Sequence, residues 1–569
     1  MADPANVSRR FFIQRAAVVL AAGPALLAAC GGSAAPASSA PSSAAGGASG
    51  AAKPSGVASL GATSAGASGA PTTAGSGETW QGVKLPTTIA FKGPQPDLPG
   101  NSTGLDPGYY KFPKDTLVQS VPKPPGDGSQ VSAFTYLTLA PPPPMDQNAA
   151  WQNVNKLTGA TISMTQVSAA DYPAKIGTLL AGNDYPDFIY NLTTVNPQGS
   201  IPALGQFVKG RCSDLTPYLS GDAIKDYPNL ANYTSYTWRS SVVEGKMYAI
   251  PVQRQPNGNV IMYRKDLFDA AGVSMTNAPK NIDDFNQMLK ALAQPKNNQW
   301  GIAGGAATYF ALGPVSPLLA MFNAPNNWKL DSSGKLTKDF ETPEYKQALG
   351  WAQDTWKAGY WHPNTPVGGN GVGNNDFMGG RFAVLPGVWG QYVQLWDIQP
   401  TIDPKGLIYP MWPFMADGTT KPVYLAGTGN FGLVHIKQQP NEARLKMLLG
   451  IANYFAAPFG TTEWLANYYG VEGTDFKYDQ SGAPQPTDQG RKELTAVWRY
   501  IASPAYAEFD PYMSKVFADN NHTAQQAMEA NMVFDPTLGL YSDTAFTAAL
   551  PAQTDLLSAV TDIVVGRRP

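Results

Sequence analysis

Side chains able to do covalent chemistry are sparse in this chain and poorly spaced for it. The histidines His362, His435 and His522 lie far apart, without metal-ligand spacing. No HExxH and no GxSxG run occurs. Gly427-Thr428-Gly429-Asn430-Phe431-Gly432 fits GxGxxG. A strand-like run from Gly432 to Ile436 follows it, however, where a dinucleotide site needs a helix N-terminus. A flexible hinge is the better reading, and no catalytic residue, metal ligand or cofactor is assigned. Aromatic faces are plentiful instead: 13 Trp, 26 Tyr and 23 Phe, with a group of Trp residues running from Trp351 to Trp412. A large core accounts for most of them, and a ligand site built on flat apolar faces is the sharper alternative.

One thiol has a defined context. Ser8-Arg9-Arg10-Phe11-Phe12-Ile13 precedes an apolar run from Ala16 to Ala29, and Leu27-Ala28-Ala29 leads into Cys30. This resembles a bacterial lipoprotein signal of the twin-arginine export type, with Gln14 where that motif prefers Lys. The run is broken by Gly23-Pro24 and is shorter than the roughly 20 residues a membrane span needs. Cys30 is therefore expected to carry a diacylglyceryl group and to moor the mature chain to the outer face of the cytoplasmic membrane or the cell envelope. Cys212 is then the remaining thiol, which rules out an internal disulfide, and it reads as a small packing residue.

The elements that must position a site begin well downstream. Residues 31–77 are almost all Ala, Gly, Ser, Pro and Thr, a tether spanning on the order of 35–40 Å. Residues 80–127 form a Pro- and Gly-rich arm, expected on the surface without regular structure of its own. The rest of the 569 residues is globular in composition. Net charge is −2 and charged residues are 14%, so neither a nucleic-acid footprint nor a polybasic membrane patch is implied. From Val131 the pattern alternates: a strand at Ala133 to Leu139, a helix opened by Asp146, a strand at Thr161 to Val167, a helix around Ile176, and a strand at Pro186 to Tyr190. Such a rhythm implies a parallel sheet with right-handed crossovers and a ligand site beyond the strands' C-terminal ends. A second α/β set follows Pro251. It includes a strand at Val260 to Tyr263, helices capped by Asn281 and Thr342, and a buried strand at Phe382 to Leu385 that stops at Pro386-Gly387.

Several segments carry a family resemblance. They are Leu157-Thr158-Gly159-Ala160-Thr161-Ile162, Leu179-Leu180-Ala181-Gly182-Asn183-Asp184-Tyr185-Pro186-Asp187, Glu244-Gly245-Lys246-Met247-Tyr248-Ala249-Ile250-Pro251, Tyr263-Arg264-Lys265-Asp266-Leu267-Phe268-Asp269-Ala270-Ala271-Gly272, and Gly379-Gly380-Arg381-Phe382-Ala383-Val384 with Gly387-Val388-Trp389. In this order and spacing the chain resembles the sugar-type (family 1) extracellular solute-binding proteins, the lipoprotein receptors of ABC importers. The resemblance implies an α/β, two-lobed periplasmic-binding-protein-like fold of type II. The hinge would have crossovers near Ile250 to Gln255, near Tyr424 to Asn430 and after about Gly473. The expected division is signal peptide 1–29, linker 30–79, arm 80–127, first lobe 128–252 plus 426–473, and second lobe 253–425 plus 474–569. A monomer is expected, with a neutral oligosaccharide as ligand, ABC permease subunits and the membrane as partners, and no nucleic acid.

A sugar's C–H faces stack on aromatic rings and its hydroxyls need polar partners. The candidates are Trp389, after the Pro386-Gly387 turn, Tyr309, Trp412 and Tyr469 for stacking, and Asp146, Asn191, Arg254 and Asn430 for hydroxyls. Each has a plainer reading. Trp389, Tyr392 and Trp396 also share one helix face, Asp146 also caps a helix, and Arg254 also suits a solvated hinge charge. The rival functions are a tethered glycan-cleaving enzyme, the same fold with a non-sugar solute, and a sensor that signals without transport.

Overall fold

The computed structural model describes residues 78–569 apart from 138–139, 169–170, 183, 194–200, 202, 257, 276–278, 305–309, 314–315, 368–373, 495–497, 543 and 545–549. In chain order, the elements that frame the site are β1 (Gln130–Leu137), α1 (Ala149–Thr158), β2 (Thr161–Ser168), α2 (Tyr172–Ala181), β3 (Phe188–Leu192), β4 (Ile250–Gln253) and β5 (Asn259–Arg264). They continue with α3 (Ile282–Leu292), β6 (Trp300–Ile302), α4 (Pro343–Lys357), β7 (Phe382–Val388), α5 (Trp389–Ile402) and β8 (Ile408–Met411). The last are β9 (Asn430–Ile436), α6 (Glu442–Phe455), α7 (Thr462–Tyr469) and α8 (Ser514–Glu529).

Local chemistry sets the helix starts. Asn281 accepts the Asp284 N–H at 2.9 Å to open α3, and Thr342 accepts the Tyr345 N–H ahead of Pro343 to open α4. At α1 the cap is Asn148, which accepts the Trp151 N–H at 2.8 Å. Asp146, expected in that role, sits exposed in the single turn Met145–Gln147 that follows the proline run. Gly159 closes α1 in the left-handed region at φ 67°.

Two sheets result. The first has five strands in the order β2-β1-β3-β9-β4, with β1 parallel to β2 and β3, and β9 antiparallel to β3 and β4. The second has four in the order β6-β7-β5-β8, with β6 parallel to β7, and β7 and β8 antiparallel to β5. β7 runs past its expected stop to Val388, pairing Pro386 with Ile261. β6 ends at Ile302 opposite Val384, so that side of Pro386 has no strand to bond, the usual condition for proline in a sheet. Each sheet has its own core: Val131, Phe188, Ile250 and Leu448 lie in one, and Phe285, Phe310, Trp361 and Val384 in the other. Cys212 is buried in the first, and burial pushes its thiol pKa up.

The chain passes between the sheets where β4 leads into β5 and again where the pair Tyr424–Leu425 leads into β9. These crossings lie side by side. The Pro256 carbonyl accepts both the Gly258 N–H (2.6 Å) and the Gly427 N–H (2.8 Å), and Arg254 N–H donates to the Gly429 carbonyl at 2.9 Å. A Cβ on Gly427 would stand 3.1 Å from the Gly258 Cα. The third passage falls later than expected. Trp498, Tyr500, Ile501 and Ala502, assigned from sequence to the second lobe, join the core of the first. Trp498 stacks on Phe455 of α6 (6.3 Å, 7°) and meets Trp151 of α1 edge-on. After that aromatic face is covered the chain crosses, and α8 packs Phe517, Ala524 and Met528 with Val260 of the second sheet and Trp396 of α5.

The arm is also more integrated than its composition suggested. It buries Val83 and Leu85 in the first core, and Tyr109 and Phe112 against Phe459. It then reaches α8, where Tyr110 donates to Asp519 (2.6 Å), Asn101 to Glu529 (2.8 Å), and His522 meets the Pro99 carbonyl at 2.9 Å. The arm is a strap over both lobes.

Gly429 holds φ +74°, and a Cβ there would lie 2.3 Å from the Tyr236 hydroxyl. Gly429→Ala is expected to cost about 1–3 kcal/mol through strain and clash. A thermal melt of the variant beside the wild type checks this, and an unchanged midpoint would contradict the packing described.

Candidate functional site

Sheet register fixes which strand ends face the other lobe. The ends of β1, β3 and β4 and the start of β9 share one edge of the first sheet. The start of β5 and the ends of β7 and β8 share one edge of the second. Residues 254–258 join these two edges, so the edges confront each other across the hinge.

The first-lobe edge is an aromatic platform. Tyr136 lies 5.7 Å from Tyr500 and 6.1 Å from Phe431, and Phe431 stacks on Tyr500 at 5.9 Å and 29°. Tyr190 and Tyr500, both buried, support Tyr136 and Phe431 from beneath, 4.9 Å apart, the Tyr190 hydroxyl donating to the Phe431 carbonyl at 3.0 Å. The half-buried Arg254 guanidinium stands 4.5 Å from the Phe431 ring and 5.7 Å from that of Tyr506. It also rests on Gly390 at the start of α5, where a Cβ would come 2.0 Å from a guanidinium nitrogen. Arg499 lies over Tyr500 at 5.1 Å. Opposite, the second lobe presents Val388 and Trp412, both 47% exposed, on the ends of β7 and β8. Trp412 also borders a cavity of about 170 Å³ shared with Tyr263, Tyr409 and Asn520.

The residues named from sequence fare unequally. Arg254, Asn430 and Trp412 come to the confronting edges. Asn430 accepts from Thr193 Oγ1 at 2.9 Å and donates to the Thr428 carbonyl, so it shapes the edge more than it faces out. Trp389 does not stack on a ligand. β7 continues to Val388, which makes Trp389 the first residue of α5, and the Trp389-Tyr392-Trp396 face turns into the second lobe's core with Trp389 only 1% exposed. Asn191 is buried within the sheet beside His435 Nε2 at 3.5 Å. Tyr469 packs between Trp464 (5.7 Å) and Phe476 (6.0 Å). Asp146 stays on its exposed turn, and Tyr309 and Cys30 lie outside the described residues. Sequence reasoning missed Tyr136 and Phe431, although both are aromatic residues at strand ends on the ligand side. Tyr500 and Tyr506 carry no local signal.

The histidines bond to backbone. His362 Nδ1 accepts the Asn364 N–H (3.2 Å), His435 Nδ1 donates to the Tyr248 carbonyl (2.8 Å), and His522 meets Pro99. Burial pulls the His435 pKa down to about 4. A buried acidic pair, Asp106 and Glu508, lies in the hinge. Gln525 Nε2 donates to Asp106 (3.0 Å) and to Glu508 (2.6 Å), Gln255 adds a bond to Asp106 (2.7 Å), and Asn521 one to Glu508 (2.6 Å). Burial raises both carboxyl pKa values well above the ordinary range near 4, and for Glu508 the charge of Asp106 adds to it.

Comparison with known proteins bears on this geometry. Residues 149–471 match the family model of the bacterial extracellular solute-binding proteins. The chain belongs to this family. Polygalacturonan/rhamnogalacturonan-binding protein YtcQ of Bacillus subtilis is 26% identical to this solute-binding protein over 261 residues, 45% of this chain and 49% of that protein. Lipoprotein LipO of the same organism is 27% identical over 256 residues, 43% of this chain and 48% of that protein. This solute-binding protein thus spans about half the length of the curated relatives it matches. An N-glycan transport solute-binding protein of Streptococcus pneumoniae, 15% identical, superposes on 77% of this chain and 91% of its own with a TM-score of 0.54, a likeness of fold.

Two predictions follow from the packing. Trp389→Ala is expected to destabilise the solute-binding protein by about 3–5 kcal/mol, seen as a lower thermal midpoint without ligand. A variant as stable as wild type would return Trp389 to the cleft. The hinge carboxyls bind protons in the native state at pH values where the unfolded chain has released them. Their stabilising share is therefore full below about pH 4 and declines as pH rises through neutrality. Glu508→Gln removes one of them, so its melting curve is expected to lose less between pH 5 and 8 than that of wild type. Parallel curves would refute the assignment.

Proposed function

We propose that this chain captures a carbohydrate between its lobes and delivers it to an ABC importer, held by a lipid on Cys30 at the outer face of the cytoplasmic membrane. The observation that carries the reading is the pair of rings Tyr136 and Phe431, backed by the buried Tyr500 and with Arg254 beside them, set on one lobe edge opposite Trp412 on the other. Flat rings suit the C–H faces of a sugar and the guanidinium suits its oxygens. Contacts from both lobes make closure depend on ligand, because a ligand shifts an open–closed equilibrium only by its preference for the closed form. The names of the relatives support the reading: one binds polygalacturonan and rhamnogalacturonan, which supports the ligand class, and another is a lipoprotein, which supports the anchor. No described helix is long and apolar enough to cross a membrane.

Arg254 and Trp412 remain the contacts expected from sequence, with Asn430 shaping the edge; Tyr136 and Phe431 are added, backed by the buried Tyr500. Division into lobes at the three crossings and action as a monomer belong to the same reading. We assign no catalysis. A glycosidase needs two carboxyls open to substrate, whereas Asp106 and Glu508 are buried and tied to amides.

A thermal-shift screen against oligosaccharides tests this, because a ligand that binds only the native form raises the midpoint by mass action, by about 2.7 kcal/mol at a hundredfold excess over Kd. Trp412→Ala is expected to shrink the shift and to leave the midpoint without ligand nearly unchanged, since the ring is 47% exposed. A screen in which no saccharide moves the midpoint overturns the reading.

A further inference from the structure

We infer that the ligand is an acidic saccharide, whose uronate carboxylate is taken by Arg254. This rests on the carbohydrate reading above and narrows it. An uncharged sugar is ordinarily gripped through hydroxyls that donate to Asp and Glu side chains. The first-lobe edge has the opposite charge. Among the described residues, Arg254 and Arg499 stand on it, set among Tyr136, Tyr190, Tyr468, Tyr500 and Tyr506. Burial acts most strongly on Tyr190 and Tyr468, and the side chains that follow it are tyrosines, arginines and Ser503.

Arg254 itself is the sharper observation. Among the described residues its guanidinium makes no ion pair, and it lies against ring faces and the Gly390 backbone. Ring faces satisfy the flat sides of a guanidinium and leave the N–H fork at its edge without an acceptor. The fork matches a carboxylate, which it binds through two parallel charge-assisted bonds. The group is half-buried, so the missing counter-charge is felt more than on an open surface. Other arginines of the chain show what this one lacks: Arg264 is met by Asp266 and Asp403, each at 2.7 Å, and Arg444 by Asp187 at 3.1 Å. Arg254 also leaves the first lobe and rests on α5 of the second. A carboxylate on its fork therefore lies at the junction of the lobes, where it can report on closure.

The test is calorimetric titration of the full chain with trigalacturonate and with trimannuronate, each beside its methyl ester, at low and at high salt. The ester keeps shape and hydroxyls and removes the charge. At least one acid is expected to bind tenfold or more tighter than its ester, with an advantage that shrinks in high salt. Arg254→Gln is expected to abolish that advantage. Because the ester comparison leaves the protein unaltered, it decides the matter even if the variant folds poorly. Esters that bind as well as the acids, or binding of maltotriose with neither acid bound, overturn the inference and leave the carbohydrate reading standing. Absence of binding by every saccharide overturns that reading itself.

Discussion

Two crossings of the chain run in contact because neither Gly258 nor Gly427 carries a side chain where they meet. Much of the site is referenced to that contact. The Pro256 carbonyl holds both strands, Arg254 N–H bonds to Gly429, and the Gly258 carbonyl accepts the Trp389 N–H at 3.0 Å, fixing the start of α5. The cation, the Phe431 ring beside it and the first turn of the second-lobe helix are thereby set from one pair of glycines. Hinge and candidate site share these contacts, so a movement in either would be felt in both.

Charge is distributed unevenly over this region. In the second lobe a buried cation is matched: Arg264, nearly fully buried, takes two aspartates and the carbonyls of Phe377 and Met378. At the hinge, acids and bases are kept apart. Asp106 and Glu508 share amide donors and have burial against their ionisation, while Arg254 has aromatic faces. Buried polar groups without a counter-charge cost stability. Their concentration at the moving part of the molecule fits a region selected for switching between states more than for rigidity.

Features set by neighbours in sequence were legible from sequence. The strands β1, β2 and β3 follow from apolar patterning, and the caps at Asn281 and Thr342 from side-chain chemistry within one turn. Features set by partners far along the chain were not. Pro386-Gly387 looks like a strand end, yet pairing with β5 carries β7 through it and turns Trp389 inward. Asn148 rather than Asp146 caps α1, because both types suit the role and only backbone geometry chooses. Trp498 and Tyr500 return to the first lobe through contacts with Trp151 and Tyr190, which no local period encodes. The platform shares that fate: Tyr136, Phe431 and Tyr500 are drawn together from three remote segments.

The strap has a consequence for biosynthesis. Asp106 finds its partner on Gln525, 419 residues later, and Asn101 bonds to Glu529 across 428. At ribosomal speeds of about 5–20 residues per second, the segment emerges on the order of 20–80 s before its docking helix exists. Until then its apolar residues, Tyr109 and Phe112 among them, wait without their final cover. Threading through a narrow translocation pore would impose the same delay a second time, whereas passage of a finished globule would impose none.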